Sequence, residues 1–286
     1  MNRVGFAAQT MELFNNDVMN PQQKFKWMDK PAGDSSPLAF LKPLDSLLVK
    51  QIVSVTEFML SMTPQSKYGI FNDRGEQVYY AFEGKDFNYN LFLKRKKKPY
   101  CLESDFCQRV YCPANRQFDL HIVDSTNQAC EIIRVKREFK CCAGSVWCAC
   151  CAACSHEIIV ESPPGTVIGY VTQECSFHRV HYALKDANDN VVLKIVGPGC
   201  MCDGPLACCC ENKFTLIGTD GESEIGSIHK KYRGYLAEAL TSADTFTIKV
   251  PLDLDVRMKA VALSALFLID FAHFSEPPRR KQQFSY

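Results

Sequence analysis

The chain has 286 residues, 47% of them apolar and 23% charged, with 33 Lys and Arg against 32 Asp and Glu for a formal charge of +1. Such a composition can bury a full core, as one large fold or two small ones. It excludes wholesale disorder, a collagen-like repeat and a generally basic nucleic-acid binder.

Residues 1–36 are polar, with scattered prolines and no repeated P-x-x-P, and read as a flexible tail outside the core. The first thirty hold no apolar block of signal-peptide length, so the cytosol is expected. Asn2 replaces the glycine that myristoylation needs, and Gln283–Tyr286 holds no prenylatable cysteine, so membrane attachment is expected from within the sequence. Residues 37–275 form the expected folded domain, and 276–286 a basic tail.

Leu44 to Leu60 is apolar, but its central Val and Ile residues leave helix and strand unseparated. Thereafter short apolar runs alternate with turn residues. Tyr68–Phe71 and Gln77–Phe82 flank Asn72-Asp73-Arg74-Gly75, and Phe118–Val123 and Cys130–Val135 flank Asp124–Asn127. Glu157–Val160 and Val167–Thr172 flank Ser162-Pro163-Pro164-Gly165, and His178–Leu184 and Val191–Val196 flank Asp186–Asn190. Phe214–Gly218 and Glu224–His229 flank Asp220-Gly221. This rhythm predicts an antiparallel meander, mainly β, closed as a barrel or stacked as a sandwich. In Thr245–Leu254, Phe246, Ile248, Val250, Leu252 and Leu254 alternate with polar residues and Pro251, the period of a half-buried strand with an edge or bulge at the proline.

All 16 cysteines lie between Cys101 and Cys210, a concentration that needs a local cause. A disulfide framework does not suit a reducing compartment. Cys148, Cys151 and Cys154 recur every third residue beside His156, which admits a zinc or iron–sulfur site. The rival is S-acylation of Cys148, Cys150, Cys151 and Cys154. Their neighbours are small, Trp147 is adjacent, and no charge occurs from Cys141 to Ser155. One acyl chain anchors only marginally, so adjacent thiols give what one cannot, and acylation explains the surplus better than a four-ligand site. A second cluster, Cys200, Cys202, Cys208, Cys209 and Cys210, reads as reduced thiols in a Gly/Pro-rich loop, with acylation or zinc as alternatives.

From Arg257 to Phe274 the chain is apolar on every side, including Val261, Leu263, Leu266, Phe267 and Ile269, which requires burial in lipid or in protein. Ala260 to Ile269 spans about 15 Å as a helix, against about 30 Å for a bilayer core. Asp270 inside a membrane would cost about 3 kcal/mol. A helix plugging a barrel is therefore the cheaper solution, with a single-pass span as the alternative. No G-x-S-x-G, Walker or H-E-x-x-H motif is present, so covalent or hydrolytic catalysis is not expected. Asp186-x-Asn188-x-Asn190 begins like an EF-hand loop, but Val191 and Gly197 occupy the required glycine and acid positions, so a hairpin turn is expected.

These residues resemble the phospholipid scramblase family from about Leu38 to Phe274. The resemblance is carried by the cysteine block, Pro163-Pro164-Gly165 with Ile168-Gly169-Tyr170-Val171, Leu193 to Pro198, and above all Pro251 to Ala260 with Phe267 to Phe271. It implies a tubby-like barrel of about twelve antiparallel strands around a C-terminal helix near 257–274. It also implies palmitate on the cysteine block and calcium-stimulated, ATP-independent movement of phospholipids between leaflets. Cys150-Cys151-Ala152-Ala153-Cys154 departs from the family's Cys-Cys-Pro-Cys-Cys but keeps three thiols. The family's calcium segment aligns with Ser242 to Asp253, where Ser242, Asp244 and Asp253 offer oxygens, so calcium binding is expected to be weak.

The expected partners are membrane phospholipids, anionic ones suiting Lys94-Arg95-Lys96-Lys97-Lys98, together with protein partners. The expected location is the cytoplasmic face of the plasma membrane, with a nuclear fraction when not acylated. The alternative function is an acyl-tethered lipid- or protein-binding module that moves no lipid.

Overall fold

A computed structural model describes residues 26–31, 33–52, 66–84, 108, 111–124, 131–140, 142–144, 146–201, 212–231 and 244–275. Among the described residues there are twelve strands: β1 (Ser46–Gln51), β2 (Lys67–Phe71), β3 (Gln77–Gly84), β4 (Phe118–Val123), β5 (Glu131–Arg137) and β6 (Glu157–Glu161) come first. They are followed by β7 (Val167–Glu174), β8 (His181–Asp186), β9 (Val191–Val196), β10 (Lys213–Ile217), β11 (Glu224–Lys231) and β12 (Thr245–Lys249). Each pairs antiparallel with its sequence neighbour, and β1 pairs with β12 through Leu48↔Thr247, closing the barrel. Closure removes the unpaired edges that an open sheet of this length would expose.

The strand at the start of the ambiguous Leu44–Leu60 run is β1; residues 53–60 lie outside the described residues. The expected strand Thr245–Leu254 is cut short at Lys249. Pro251 has no N–H to continue the ladder, Val250 N–H turns to Asp45 O, and Pro251–Leu254 forms a turn. Asp186–Asn190 is the expected hairpin turn: Asp186 Oδ1 accepts the Asn188 and Asn190 N–H groups at 2.8 and 2.9 Å. Of the expected outer tail, residues 1–25 lie outside the described residues. Its last part pairs with the barrel, Met28 N–H donating to Gln77 O and Gln77 N–H to Lys26 O. Trp27 then packs with Ile52 on Tyr80, Phe82 and Val123, so the outer face of β3 is buried as well as its inner one.

The barrel is filled by one helix, α1 (Val256–Ile269), continued by a π-helical turn over Asp270–Phe274. Asp255 caps it, accepting the Arg257 N–H at 2.7 Å. Every residue from Met258 to Ile269 is buried. Even Lys259 is enclosed: its Nζ donates to the carbonyls of Leu41, Lys42, Leu44 and Leu252 at 2.8–3.3 Å, tying the helix base to the barrel floor. Close approach of helix and wall needs Gly169 of β7, where an added Cβ would lie 2.7 Å from Val261 Cγ2 and against Lys185 O. Fourteen residues of α-helix span about 21 Å. Among the described residues no helix is long and apolar enough to cross a membrane. The fold expected from sequence, a closed twelve-strand barrel around a C-terminal helix, is the one observed.

Candidate functional site

Because the strands alternate up and down, every second connection opens at the same end of the barrel. All the cysteines except Cys130 fall, by sequence position, in the connections β3–β4, β5–β6, β7–β8 and β9–β10, whose flanking strands end together there. The barrel therefore converts a cysteine-rich stretch of chain into a cysteine-rich end.

The β5–β6 connection is the largest described part of that end. Cys148, Cys150 and Cys151 are exposed free thiols, and Cys154 is half-buried. Successive turns shape the segment, with Cys151 N–H donating to Cys148 O and Cys154 N–H to Cys151 O. Desolvation and the neighbouring Cys151 and Cys148 thiols push the Cys154 thiol up, and Cys148, Cys150 and Cys151 are the more exposed three. Trp147 stands out with 73% of its surface exposed. It is braced by the β7–β8 loop, where Cys175 Sγ lies 3.3 Å from Trp147 O and Ser176 N–H donates to Val146 O. The same loop holds Phe177 at 92% exposure, and Met201 is exposed just after Cys200. Exposed aromatics beside free thiols at one end form an apolar tip that sequence reading had located only at Trp147.

His156 does not join the thiols. It turns into the barrel, its Nδ1 2.7 Å from Arg137 Nη2. Among the described residues no group of three or more His, Cys, Asp or Glu side chains is arranged to hold a metal ion. Asp244 sits at the cysteine end of β12 in an ion pair with Lys230, 3.2 Å away. Asp253 lies beyond the opposite end of that strand, so the barrel holds the two carboxylates apart. Ser242, Cys202, Cys208, Cys209, Cys210 and the Lys94–Lys98 run lie outside the described residues. Val261, Leu263, Leu266, Phe267 and Ile269 are all enclosed within the barrel.

Under the tip, the barrel mouth is polar, which sequence reading missed because its residues come from three strands, a loop and the end of the helix. Tyr68 donates to Asp270, and Arg116 forms a two-pronged pair with Glu83 while lying 4.6 Å over the Phe271 ring. Tyr182 meets His273 Nε2 at 2.8 Å. Burial, with Arg137 nearby, pushes His273 down to about 4, so the ring is neutral and shares one hydrogen bond with the tyrosine hydroxyl.

A family model described as Scramblase matches residues 26–276. The chain belongs to the scramblase family. It is 35% identical to Phospholipid scramblase 1 of Mus musculus, over 98% of this chain and 76% of that protein. To Phospholipid scramblase 1 of Homo sapiens it is 33% identical, over 90% of this chain and 72% of that one. Phospholipid scramblase family member 5 of Homo sapiens is 32% identical, over 83% of this chain and 76% of its own length. No solved structure matches the chain.

Proposed function

We propose that this scramblase-family chain moves phospholipids in both directions between membrane leaflets, stimulated by calcium and without ATP, on a tubby-like barrel scaffold. It performs no covalent chemistry. Palmitate on Cys148, Cys150, Cys151 and Cys154 holds it to the cytoplasmic face of the plasma membrane. The observation that carries this reading is the tip itself: exposed Trp147 and Phe177 beside free thiols at one end of a closed barrel. Aromatics favour the membrane interface, and acyl chains on adjacent thiols supply durable anchoring. Calcium acts weakly in this reading. Asp244 is engaged by Lys230 and Asp253 is remote from it, so each carboxylate needs oxygens from other segments to complete a coordination shell.

Reconstitution into liposomes with labelled lipid tests the transport: faster equilibration with calcium is expected, and no acceleration at any calcium level overturns it. A second reading, an acyl-tethered lipid- or protein-binding module, is favoured by α1, which lies inside the barrel and offers lipid no path along its surface. Under both readings, replacing Cys148, Cys150, Cys151 and Cys154 by alanine releases the chain to cytosol or nucleus. Retention at the membrane refutes the acyl tether.

A further inference from the structure

Three adjacent strands deliver one polar side chain each to the last inward position below the cysteine loop. Arg137 ends β5, His156 immediately precedes β6, and Gln173 lies near the end of β7. All three are buried, with 4%, 1% and 3% of their surfaces exposed. They are held together by the contact of Arg137 Nη2 with His156 Nδ1 at 2.7 Å and by the His156 N–H, which donates to Gln173 Oε1 at 3.3 Å. Gln173 N–H returns a bond to His156 O at 2.8 Å.

What this cluster leaves over is all of one kind. Arg137 Nη1, His156 Nε2 and Gln173 Nε2 are buried and have no hydrogen-bond partner among the described residues. Because Nδ1 of His156 accepts from the guanidinium, the ring proton belongs on Nε2, so the three leftover nitrogens are three donors. Burial, then Arg137, His273 and Lys140, push His156 down to about 2, which keeps that ring neutral. Burial lowers Arg137 only to about 10, so it remains a cation at neutral pH.

The neighbouring Arg116 shows what this fold does with a buried guanidinium that is internally neutralised: it gives it Glu83. Among the described residues no carboxylate pairs with Arg137, whose guanidinium meets the Ala114 carbonyl, the His156 imidazole and the face of the Phe118 ring. A buried cation with unused donors is stabilised by an acceptor that brings negative charge. Above it, the cysteine loop passes with Gly144 at φ +106°, where a Cβ would stand 3.4 Å from His156 Nε2. Gly144, which carries no side chain, faces the leftover donor.

We propose that Arg137, His156 and Gln173 form a binding site for a phosphate-class oxyanion in the barrel mouth, directly beneath the cysteine loop. Three donors and one positive charge match the oxygens of a phosphate, whether free or at the head of a phospholipid. The site stands whether or not the chain moves lipid.

The test uses the full chain and three probes: inorganic phosphate, glycerophosphoserine, and phosphatidylserine vesicles, each against chloride or phosphatidylcholine at equal ionic strength. Inorganic phosphate is expected to raise the thermal midpoint and broaden the phosphorus resonance of the free ion. Arg137→Gln and Gln173→Leu are each expected to weaken phosphate binding at least tenfold. Gln173→Leu keeps the charge and decides the matter if Arg137→Gln does not fold. Competition by glycerophosphoserine, with vesicle binding lost in the variants, identifies a lipid headgroup as the source. Response to inorganic phosphate alone identifies the free ion. No response of the wild-type chain to any probe, or equal responses in both variants, overturns the site.

Discussion

The Tyr68 hydroxyl donates to Asp270 Oδ2 across 2.5 Å, joining the second residue of strand β2 to the point where α1 changes from α to π geometry. The two residues are 202 positions apart in sequence, and their bond closes the barrel around its plug. Burial, then the Asp270 charge and hydrogen bond, raise the Tyr68 phenol, so it stays a donor throughout the working pH range.

Tyr68→Phe removes that donor while keeping the ring against Phe267 and Phe271. A hydrogen bond to a buried charged group contributes about 1.5–3 kcal/mol. Urea unfolding of the variant is therefore expected to give a midpoint lower by that amount of stability, with an unchanged denaturant slope. An unaltered midpoint would show that the bond contributes nothing.

Gly169→Ala tests the wall against which α1 rests. The new methyl would meet Val261 Cγ2 at 2.7 Å and the Lys185 carbonyl, which belongs to a paired strand and cannot withdraw. Overpacking of this kind costs about 1–3 kcal/mol. A loss in that range is expected by the same urea measurement, whereas alanine at Gly75, which has open space around it, strains only its own backbone at φ +75°.

Much of this architecture could be read from the sequence, for reasons visible in particular residues. Hairpins such as Phe118–Val123 with its successor, or Asp186–Asn190 between β8 and β9, combine period-two alternation with local turn chemistry, and both signals are short-range. The plug was legible from length: too apolar for a surface helix, too short for a bilayer. By contrast, Arg116, Arg137 and Gln173 look like ordinary outward polar residues until the barrel closes and fixes which face is inside. Period two assigns faces only once the register is known, and nothing local distinguishes an inward arginine that ends a strand. Phe177 was hidden for the opposite reason, since its exposure depends on a loop that turns away from the wall.

The barrel mouth should also be the acid-sensitive part of the fold. His273 has an ordinary value of 6.5 and is held at about 4 when folded. As pH falls below 6.5 the unfolded chain takes up a proton that the folded chain refuses, so stability present above that pH is lost on the way down to 4. His156 contributes with the same sign. The His273 shift alone corresponds to about 3 kcal/mol across that window. His273→Gln keeps a hydrogen-bonding partner for Tyr182 but cannot titrate, so the fall in unfolding free energy between pH 6.5 and 4.5 is expected to be roughly halved. A slope equal to that of the wild type would place the acid sensitivity elsewhere.

The tip makes a prediction separable from acylation. Protein made without acyl transferases carries bare thiols, so any affinity for vesicles rests on its apolar side chains and charge. Trp147 and Phe177 are largely exposed on two loops joined by the Ser176–Val146 hydrogen bond, which presents them together. Full burial of a large apolar side chain is worth about 1.5–3 kcal/mol, and partial insertion of two such groups gives about 2–3 kcal/mol in sum. Replacing both by serine is therefore expected to weaken binding of the unacylated chain to phosphatidylserine vesicles by about thirty- to 150-fold. Both residues contact solvent rather than the core, so the unfolding midpoint should stay where it is. Reduced affinity with an unchanged midpoint assigns the tip to the membrane interface. Equal affinity means that the barrel meets the bilayer by another surface, and leaves the thiols without the aromatic neighbours that would bring them to it.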